Sequence, residues 1–156
     1  MSELDQTDER LLEILQRNAT ITMQELGSMV GLSHTPCWRR VRRLEEKGYI
    51  SKRVTLLDPE KLELNVNVFV FVTLNRHQSN ALTRFENAVN DIPEIVECYS
   101  VSGQADFLLR VIVHDVSAYD TLLKRTLIHL PEIGNLKSTI ALQQVKYSTE
   151  LPLQSL

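Results

Sequence analysis

The residues best suited to chemistry in this 156-residue chain are cations concentrated in one short segment. Between Trp38 and Arg53, seven cations stand against Glu45 and Glu46, a net charge of +5, whereas the whole chain has a formal charge of -3. Guanidinium groups pair with phosphates and bond bidentately to guanine edges, so the segment favours contact with a nucleic acid. A solvated helix face is the alternative for such a run. The cations are Arg39, Arg40, Arg42, Arg43, Lys47, Lys52 and Arg53.

Three short helices are predicted to position this segment. Asp5 can cap the first helix, and Thr22 begins a capping-box pattern that can start the second. Gly31 permits a left-handed turn at the end of the second helix, and Ser33 caps a third helix that ends before Gly48. Two helices separated by only three residues are typical of a helix-turn-helix.

The third helix is predicted to have one apolar and one polar, basic face. Cys37, Val41 and Leu44 share the apolar side, and two strands, residues 49–50 and 54–57, are expected to flank a basic turn as a wing. Short polar residues at a helix start can enter the major groove, where arginine reads guanine. We therefore predict DNA contacts from Ser33, His34, Thr35, Trp38, Arg39, Arg40, Arg42, Arg43, Lys52 and Arg53.

Three of these residues have a structural alternative. Trp38 could pack against the wing instead of touching DNA. Arg40 could hold a carboxylate such as Glu45 or Asp8 inside the small domain. His34 could be exposed without any contact.

The remainder of the chain has the alternation expected of a second domain. Pro59 and the charges around it mark a linker, so we predict a DNA-binding domain at 1–57, a linker at 58–65 and a second domain at 66–156. Strands are expected at 66–74, 95–101, 106–113 and 136–144, with helices at 79–92 and from a Ser117 cap to Pro131. This βαββαβ order matches the ferredoxin-like plan and makes the chain an α+β protein. The motifs at 92–95 and 130–133, both apolar-Pro-Glu-Ile, form a weak internal repeat.

The predicted central strands are apolar on both faces. Val68, Val70 and Val72 alternate with Phe69 and Phe71, and the strand at 106–113 behaves in the same way. Two helices can cover only one face of the sheet, so the other face needs a further layer. The most economical layer is the same sheet of a second subunit, which predicts a dimer with paired recognition helices.

The turn from Ser102 to Asp106 is the best candidate for a ligand site. Gly103 allows backbone groups to approach a ligand, and Asp106 could accept hydrogen bonds from an ammonium group. An ordinary hairpin turn in which Asp106 bonds its own backbone is the alternative.

Several function classes find no support in the sequence. Cys37 and Cys98 are far apart and have no histidine at metal-ligand spacing, so we predict no disulfide, metal or cofactor. Phosphate-binding loops, dinucleotide-binding glycine patterns and nucleophile elbows are absent, and no catalytic residue is predicted. No apolar run approaches the roughly 18 residues of a membrane span, and the first ten residues are polar, so a cytoplasmic protein is expected.

The segment Leu32–Ile50 resembles the recognition helix and wing start of the leucine-responsive regulatory protein/AsnC (Lrp/AsnC) family. The resemblance continues through Leu57–Pro59, Val101–Asp106 and Val145–Pro152. It implies a transcriptional regulator with a winged helix-turn-helix and an amino-acid-sensing, ferredoxin-like (RAM, ACT-like) domain. It also implies binding to double-stranded DNA and dimers that assemble to octamers, with amino-acid effectors bound between dimers.

By the same resemblance, Gly103, Gln104 and Asp106 fall in the effector loop. Residues 136–141 of the last strand, especially Ser138 and Thr139, lie where the effector pocket is completed. With Ser102 they form the predicted effector site. Ala105 stands where the family often has an aromatic residue, which changes the expected size of the pocket. Leucine or methionine is the effector we expect.

Two other functions remain open at this stage. RNA-recognition motifs share the βαββαβ plan, but they need exposed aromatics and basic residues on the central strands, and residues 106–111 offer neither in that pattern. The second is a regulatory amino-acid-binding subunit of a metabolic enzyme, which turnover by the purified protein would support.

Overall fold

The computed structural model describes residues 4–75 and 80–153, which divide into two compact units. Residues 4–56 and 146–153 form the first unit, and residues 57–145 form the second. The segment 146–153, here called the tail, was expected to belong to the second domain. It groups with the first unit because the Gln16 amide exchanges two hydrogen bonds with the backbone of Leu151, at 2.9 and 3.2 Å, and Arg17 pairs with Glu150 at 2.9 Å.

The first unit is built on three helices, and the first two have the predicted caps. The Asp5 carboxylate accepts the Asp8 N–H at 2.8 Å, and Thr22 and Glu25 form a complete capping box. Gly31, at φ 71°, ends the second helix in the left-handed conformation. The helices are α1 (Gln6–Arg17), α2 (Met23–Val30) and α3 (His34–Glu46), and their buried core consists of Leu11, Ile14, Leu15, Leu26, Cys37, Val41 and Leu44.

Two local predictions for this unit were wrong. Ser33 occupies the N-cap position of α3, but its side chain makes no capping hydrogen bond. The two wing strands do not form, and residues 49–56, here called the wing segment, contain no strand. The backbone N–H groups of Tyr49 and Ile50 both donate to the Leu44 carbonyl, at 2.9 and 3.4 Å, so they complete the end of α3 instead of a ladder.

The second unit has the predicted βαββαβ order. Its four strands form one antiparallel sheet in the order β2-β3-β1-β4, and the two helices cover one face. A short 3₁₀ turn, Leu127–His129, follows the second helix. The elements are β1 (Val66–Leu74), α4 (Ala81–Asn90), β2 (Ile95–Ser100), β3 (Phe107–Val113), α5 (Val116–Arg125) and β4 (Ile133–Ile140).

Strand alternation separates the two faces of this sheet. On β1, Val68, Val70 and Val72 are fully buried against the helices, where the tilted rings of Phe85 and Phe107 pack with centroids 4.8 Å apart. The other face carries Phe69, Phe71, Leu108 and Arg110, all partly or largely exposed. We call it the open face.

Some boundaries in the second unit differ from the prediction. Asp115, not Ser117, caps α5, because its carboxylate accepts the Ala118 N–H at 2.7 Å. Leu82 was expected to face inward but is 57% exposed, since Ala81, Phe85 and Val89 form the inner stripe of α4. The predicted helix start at Ser79 lies outside the described residues.

The last strand also begins and ends earlier than the predicted 136–144. It pairs with β1 from Leu74 back to Val68, and the Ala141 N–H makes one further bond to the Asn67 carbonyl. Because β1 itself begins at Val66, β4 has almost no partner beyond Ile140. Among the described residues, no helix is long and apolar enough to cross a membrane.

Candidate DNA-binding face and ligand pocket

The exposed side of α3 brings six of the predicted DNA-contacting residues together. The buried stripe of Cys37, Val41 and Leu44 fixes which side of the helix faces solvent. Trp38 is 50% exposed and therefore does not pack fully against the wing segment. The residues on this face are Ser33, His34, Thr35, Trp38, Arg39 and Arg42, and all are exposed.

The cations of this face and of the wing segment form either solvent-exposed ion pairs or none. Arg42 pairs with Glu46 at 3.1 Å, and Arg53 of the wing segment pairs with Glu45 at 2.9 Å. These pairs are solvent-exposed and of the kind that contributes only about 0–1 kcal/mol, so a phosphate can replace the carboxylate. Within residues 4–75 and 80–153, Arg39 and Lys52 form no ion pair.

Arg40 and Arg43 point in a different direction, toward the start of α1. Arg40 donates to Asp5 at 2.6 Å and to Asp8 at 2.8 Å, and Arg43 donates to the second oxygen of Asp8. The side chain of Asp8 is only 1% exposed. The structure thus shows the Asp8 partner that was one alternative for Arg40, whereas the Asp8–Arg43 pair was not anticipated.

These ion pairs also shift the proton affinities of two groups. The hydrogen bond from Arg40, followed by the one from the Asp8 N–H, lowers the pKa of Asp5 below its usual value of 3.8. Hydrogen bonds to Asp5 and Asp8 raise the pKa of Arg40. Both groups are therefore charged throughout the neutral range.

A second candidate site lies beside the turn between β2 and β3. A cavity of about 420 Å³ opens there, a volume within the range of small-molecule sites. Ser102 and Gln104 line it as predicted, while Gly103, at φ 128°, allows the turn between them. The lining residues are Phe71, Thr73, Val101, Ser102, Gln104, Ala105, Asn135 and Lys137.

Four of the predicted effector residues do not line this cavity: Gly103, Asp106, Ser138 and Thr139. The Asp106 carboxylate accepts the Leu74 N–H at 2.8 Å and thereby ties the turn to β1. Ser138 lies on the helix-covered side of β4, where it hydrogen-bonds to the Tyr119 hydroxyl. Thr139 lies opposite Phe69 in the sheet, away from the turn.

The residues that complete the cavity from the sheet were only partly predicted: Lys137 lies within the expected range 136–141, whereas Asn135 lies outside it. Asn135 and Lys137 alternate with Ser138 along β4, and they lie opposite Thr73 and Phe71 of β1. The period of two along β4 could have identified them once the inward direction of Ser138 was known.

Neither cysteine has the environment of a reactive or ligating thiol. Burial raises the pKa of Cys37. Cys98 is exposed, but partial desolvation and the negative charge of Glu86 raise its pKa as well, so both thiols are protonated near neutrality. No group of three or more His, Cys, Asp or Glu side chains in the described parts of the chain could hold a metal ion.

Comparison with known families agrees with this architecture. Residues 4–51 match the family described as winged helix-turn-helix DNA-binding, and residues 67–151 match the Lrp/AsnC ligand binding domain. The chain belongs to the Lrp/AsnC family. It is therefore a transcriptional regulator with a DNA-binding domain and a ligand-binding domain.

Individual relatives are similar over nearly the whole chain. The leucine-responsive regulatory protein of Escherichia coli (strain K12) is 41% identical over 153 residues, 98% of this chain and 93% of its own length. The crystal structure of an AsnC family transcriptional regulator from Agrobacterium tumefaciens is 45% identical, with a TM-score of 0.92 over 98% of this chain and 99% of that one. A Neisseria meningitidis transcriptional regulator in complex with L-methionine is 32% identical, with a TM-score of 0.94 over 97% of this chain and 98% of that one.

Proposed function

We propose that this regulator binds double-stranded DNA sequence-specifically through α3, and that an amino acid bound in the cavity beside the β2–β3 turn changes that binding. The observation that carries the first part is the exposed face of α3. Because its opposite side is buried, α3 exposes Thr35, Trp38, Arg39 and Arg42 together on one side. A helix exposed in this way fits the width of the DNA major groove. Such a regulator acts on the genome, in the cytoplasm.

Each part of this surface has a distinct role. Arg39 and Arg42 read base edges, and Ser33, His34 and Thr35 enter the groove at the start of α3. Lys52 and Arg53 of the wing segment contact flanking phosphates, which position the protein without specifying sequence. Trp38 packs against the sugar-phosphate backbone.

The test is capture of genomic DNA fragments by the purified protein at moderate salt, followed by sequencing. We expect discrete sites with dyad symmetry. Weak, salt-sensitive binding without preferred sites would contradict sequence-specific recognition of DNA and favour the RNA-binding alternative. The proposal assigns the chain no catalytic activity, and turnover by the purified protein would argue for the enzyme-subunit alternative.

The chemistry of the cavity suits a free amino acid. Phe71, Val101 and Ala105 offer apolar surface, Lys137 offers an ammonium group for a carboxylate, and Gln104 offers polar atoms. The complex of the Neisseria meningitidis relative with L-methionine supports methionine, or leucine of similar size, as the first candidate. Asp106 supports the site indirectly by holding the turn on β1.

Replacement of Lys137 tests this site. We expect Lys137→Gln to weaken the binding of L-methionine or L-leucine by about tenfold, since a charge-assisted hydrogen bond contributes roughly 1.5–3 kcal/mol when it is buried and less when it is partly exposed. Isothermal titration of the amino acids supplies the measurement. Lys124→Gln is the matched control, because Lys124 pairs with Asp120 on the surface of α5. Equal affinities of both variants would move the effector site elsewhere.

We also infer that the open face is covered by a second copy of the chain. Phe71 and Tyr99 are exposed there beside Phe69 and Leu108, an apolar surface that is unusual for a face in contact with water. A two-fold dimer would present two copies of α3 to the two halves of a palindromic site. The family resemblance supports further assembly of such dimers to octamers.

A further inference from the structure

One carboxylate joins the first helix to the helix that carries the DNA-binding face. Asp8 lies in the first turn of α1, fully buried, and its two oxygens accept hydrogen bonds from two different residues of α3. Arg40 bonds to Oδ1 at 2.8 Å, and Arg43 bonds to Oδ2. The Asp5 N–H adds a third, longer bond to Oδ2 at 3.4 Å.

This arrangement constrains α3 more than a single contact would. Arg40 and Arg43 are three residues apart and therefore neighbours on one flank of α3, between the buried stripe and the exposed face. Two bonds to one fixed carboxylate restrict both the distance of α3 from α1 and its rotation about its own axis. The rotation decides which side chains reach the floor of a groove.

The same bonds also occupy the two arginines. A buried carboxylate that lost its partners would be an uncompensated charge, so the pairs resist exchange with a phosphate. Arg42 and Arg53 differ in this respect, because their partners Glu46 and Glu45 are considerably exposed.

We propose that Asp8 is a positioning residue for DNA recognition: it sets the orientation of α3 through Arg40 and Arg43 and withdraws both arginines from phosphate binding. The proposal rests on the proposed binding of DNA by α3. It assigns the phosphate contacts to the remaining cations, with Lys52 and Arg53 foremost, and removes Arg40 and Arg43 from the predicted set of direct contacts.

The first test is the salt dependence of binding to a captured DNA site. Each cation that neutralises a phosphate adds about 0.9 to the magnitude of the slope of log K against log salt. We expect Lys52→Gln to have a slope smaller by this amount, whereas Arg40→Gln and Arg43→Gln weaken binding with the slope of the wild type. A slope smaller by about 0.9 in either arginine variant would show that this arginine binds a phosphate and would overturn the proposal.

The second test is discrimination between the captured site and random DNA. Asp8→Asn keeps the shape and one oxygen acceptor but removes the charge that holds both arginines. We expect discrimination to fall roughly 5- to 150-fold, the factor that corresponds to one misplaced base contact, while affinity for random DNA does not fall. Glu13→Gln is the matched control, because it removes one charge from the same helix, at the pair with the exposed Arg10, and should change neither quantity.

The outcomes separate positioning from stability and from failure of the proposed function. An Asp8→Asn protein that unfolds at lower temperature but discriminates like the wild type would make Asp8 merely structural. If Asp8→Asn does not fold, the salt slopes of the two arginine variants test the proposal instead. Discrimination that is higher in Arg43→Lys than in Arg43→Gln would then support the positioning role. A wild-type protein without sequence preference would instead refute the proposed DNA recognition.

Discussion

At the scale of single residues, Arg39 is the most informative cation of the chain. It projects from the middle of the exposed face of α3 and forms no ion pair with any residue in 4–75 or 80–153. Nothing in the fold thus depends on its charge. A change at Arg39 therefore tests recognition with little effect on stability.

Charge reversal by Arg39→Glu should abolish specific DNA binding and leave the unfolding temperature almost unchanged. A carboxylate facing phosphates and the acceptor edge of guanine is repelled where a guanidinium was attracted. Fluorescence anisotropy with a captured site measures the binding, and calorimetry measures the stability. A large loss of stability would show that Arg39 is structural.

Asp5 gives the first unit a predictable response to acid. Its folded pKa lies below 3.8, so the ion pair with Arg40 stabilises the protein fully above about pH 4, and the contribution is lost as pH falls through the folded value. Asp5→Asn preserves the helix cap because asparagine caps about as well as aspartate. We expect it to cost at most about 1 kcal/mol near neutrality, since the pair is solvent-screened.

Urea unfolding of wild type and Asp5→Asn between pH 7 and pH 2.5 checks this expectation. The difference in the free energy of unfolding should shrink toward zero at the acid end and should also shrink in high salt. A difference that stays constant with pH would mean that the loss arises from packing and not from charge.

The sequence predicted the exposed residues of α3 but not all of the partners that the polar side chains contact. The exposed face of α3 follows from helical periodicity, because the stripe of Cys37, Val41 and Leu44 leaves one side for solvent. The partners of Arg43 and Asp106 could not be predicted, since Asp8 and Leu74 are 35 and 32 residues away along the chain and only the tertiary fold brings them close.

At the scale of elements, the helix-turn-helix depends on a glycine inside α2. Gly27 is buried, and a Cβ atom there would lie 2.6 Å from the carbonyl oxygen of Leu32 and 3.4 Å from the Cβ of Cys37. The turn between α2 and α3 therefore approaches the backbone of α2 too closely for any side chain.

Gly27→Ala should destabilise the first unit by about 1–3 kcal/mol through overpacking. In an unconstrained helix the same change would stabilise by up to about 1 kcal/mol, so the sign of the effect is diagnostic. Thermal unfolding measures it, with Ser28→Ala on the exposed side of α2 as the control. A stabilised Gly27→Ala protein would contradict the close approach.

The elements themselves were largely predictable, and the failures have physical causes. The prediction gave β1 its observed bounds, because an apolar run with valines on one face and phenylalanines on the other is typical of a buried strand. The predicted wing strands were wrong because the N–H groups of Tyr49 and Ile50 donate to the Leu44 carbonyl at the end of α3. They are therefore not available for hydrogen bonds to a second strand. Asp115 replaced Ser117 as the cap of α5 because a carboxylate two residues earlier already satisfied the helix start.

At the scale of the whole molecule, the open face of the sheet is the feature that a single chain leaves unexplained. Phe71 is 39% exposed on the central strand β1. An interface with a second copy would remove this surface from water, which favours association by roughly 25 cal/mol per Å² of apolar area.

Phe71→Glu should therefore convert the proposed dimer, or any larger assembly built on it, to monomers. Light scattering coupled to size-exclusion chromatography measures the mass. Leu82→Glu on the exposed side of α4 is the control, as Leu82 is also exposed but lies on a helix outside the open face. If Phe71→Glu has the same mass as the wild type, the open face is not the interface.

The prediction placed the tail in the second domain, whereas its contacts group it with the first unit, and residues 146–153 carry no helical or strand pattern. Its place depends on the hydrogen bonds of Gln16 to Leu151 and on the pair between Arg17 and Glu150. Contacts between segments more than 130 residues apart leave no local signal in the chain.

The proposed function requires that the binding of an amino acid and the binding of a specific DNA site are coupled in this protein. The most direct measurement is the affinity for a captured site with and without a saturating amino acid, repeated as the affinity for the amino acid with and without DNA. We predict that one amino acid changes the DNA affinity about 5- to 150-fold, and that DNA changes the affinity for that amino acid by the same factor. An amino acid that binds the cavity but leaves the DNA affinity unchanged would contradict the account.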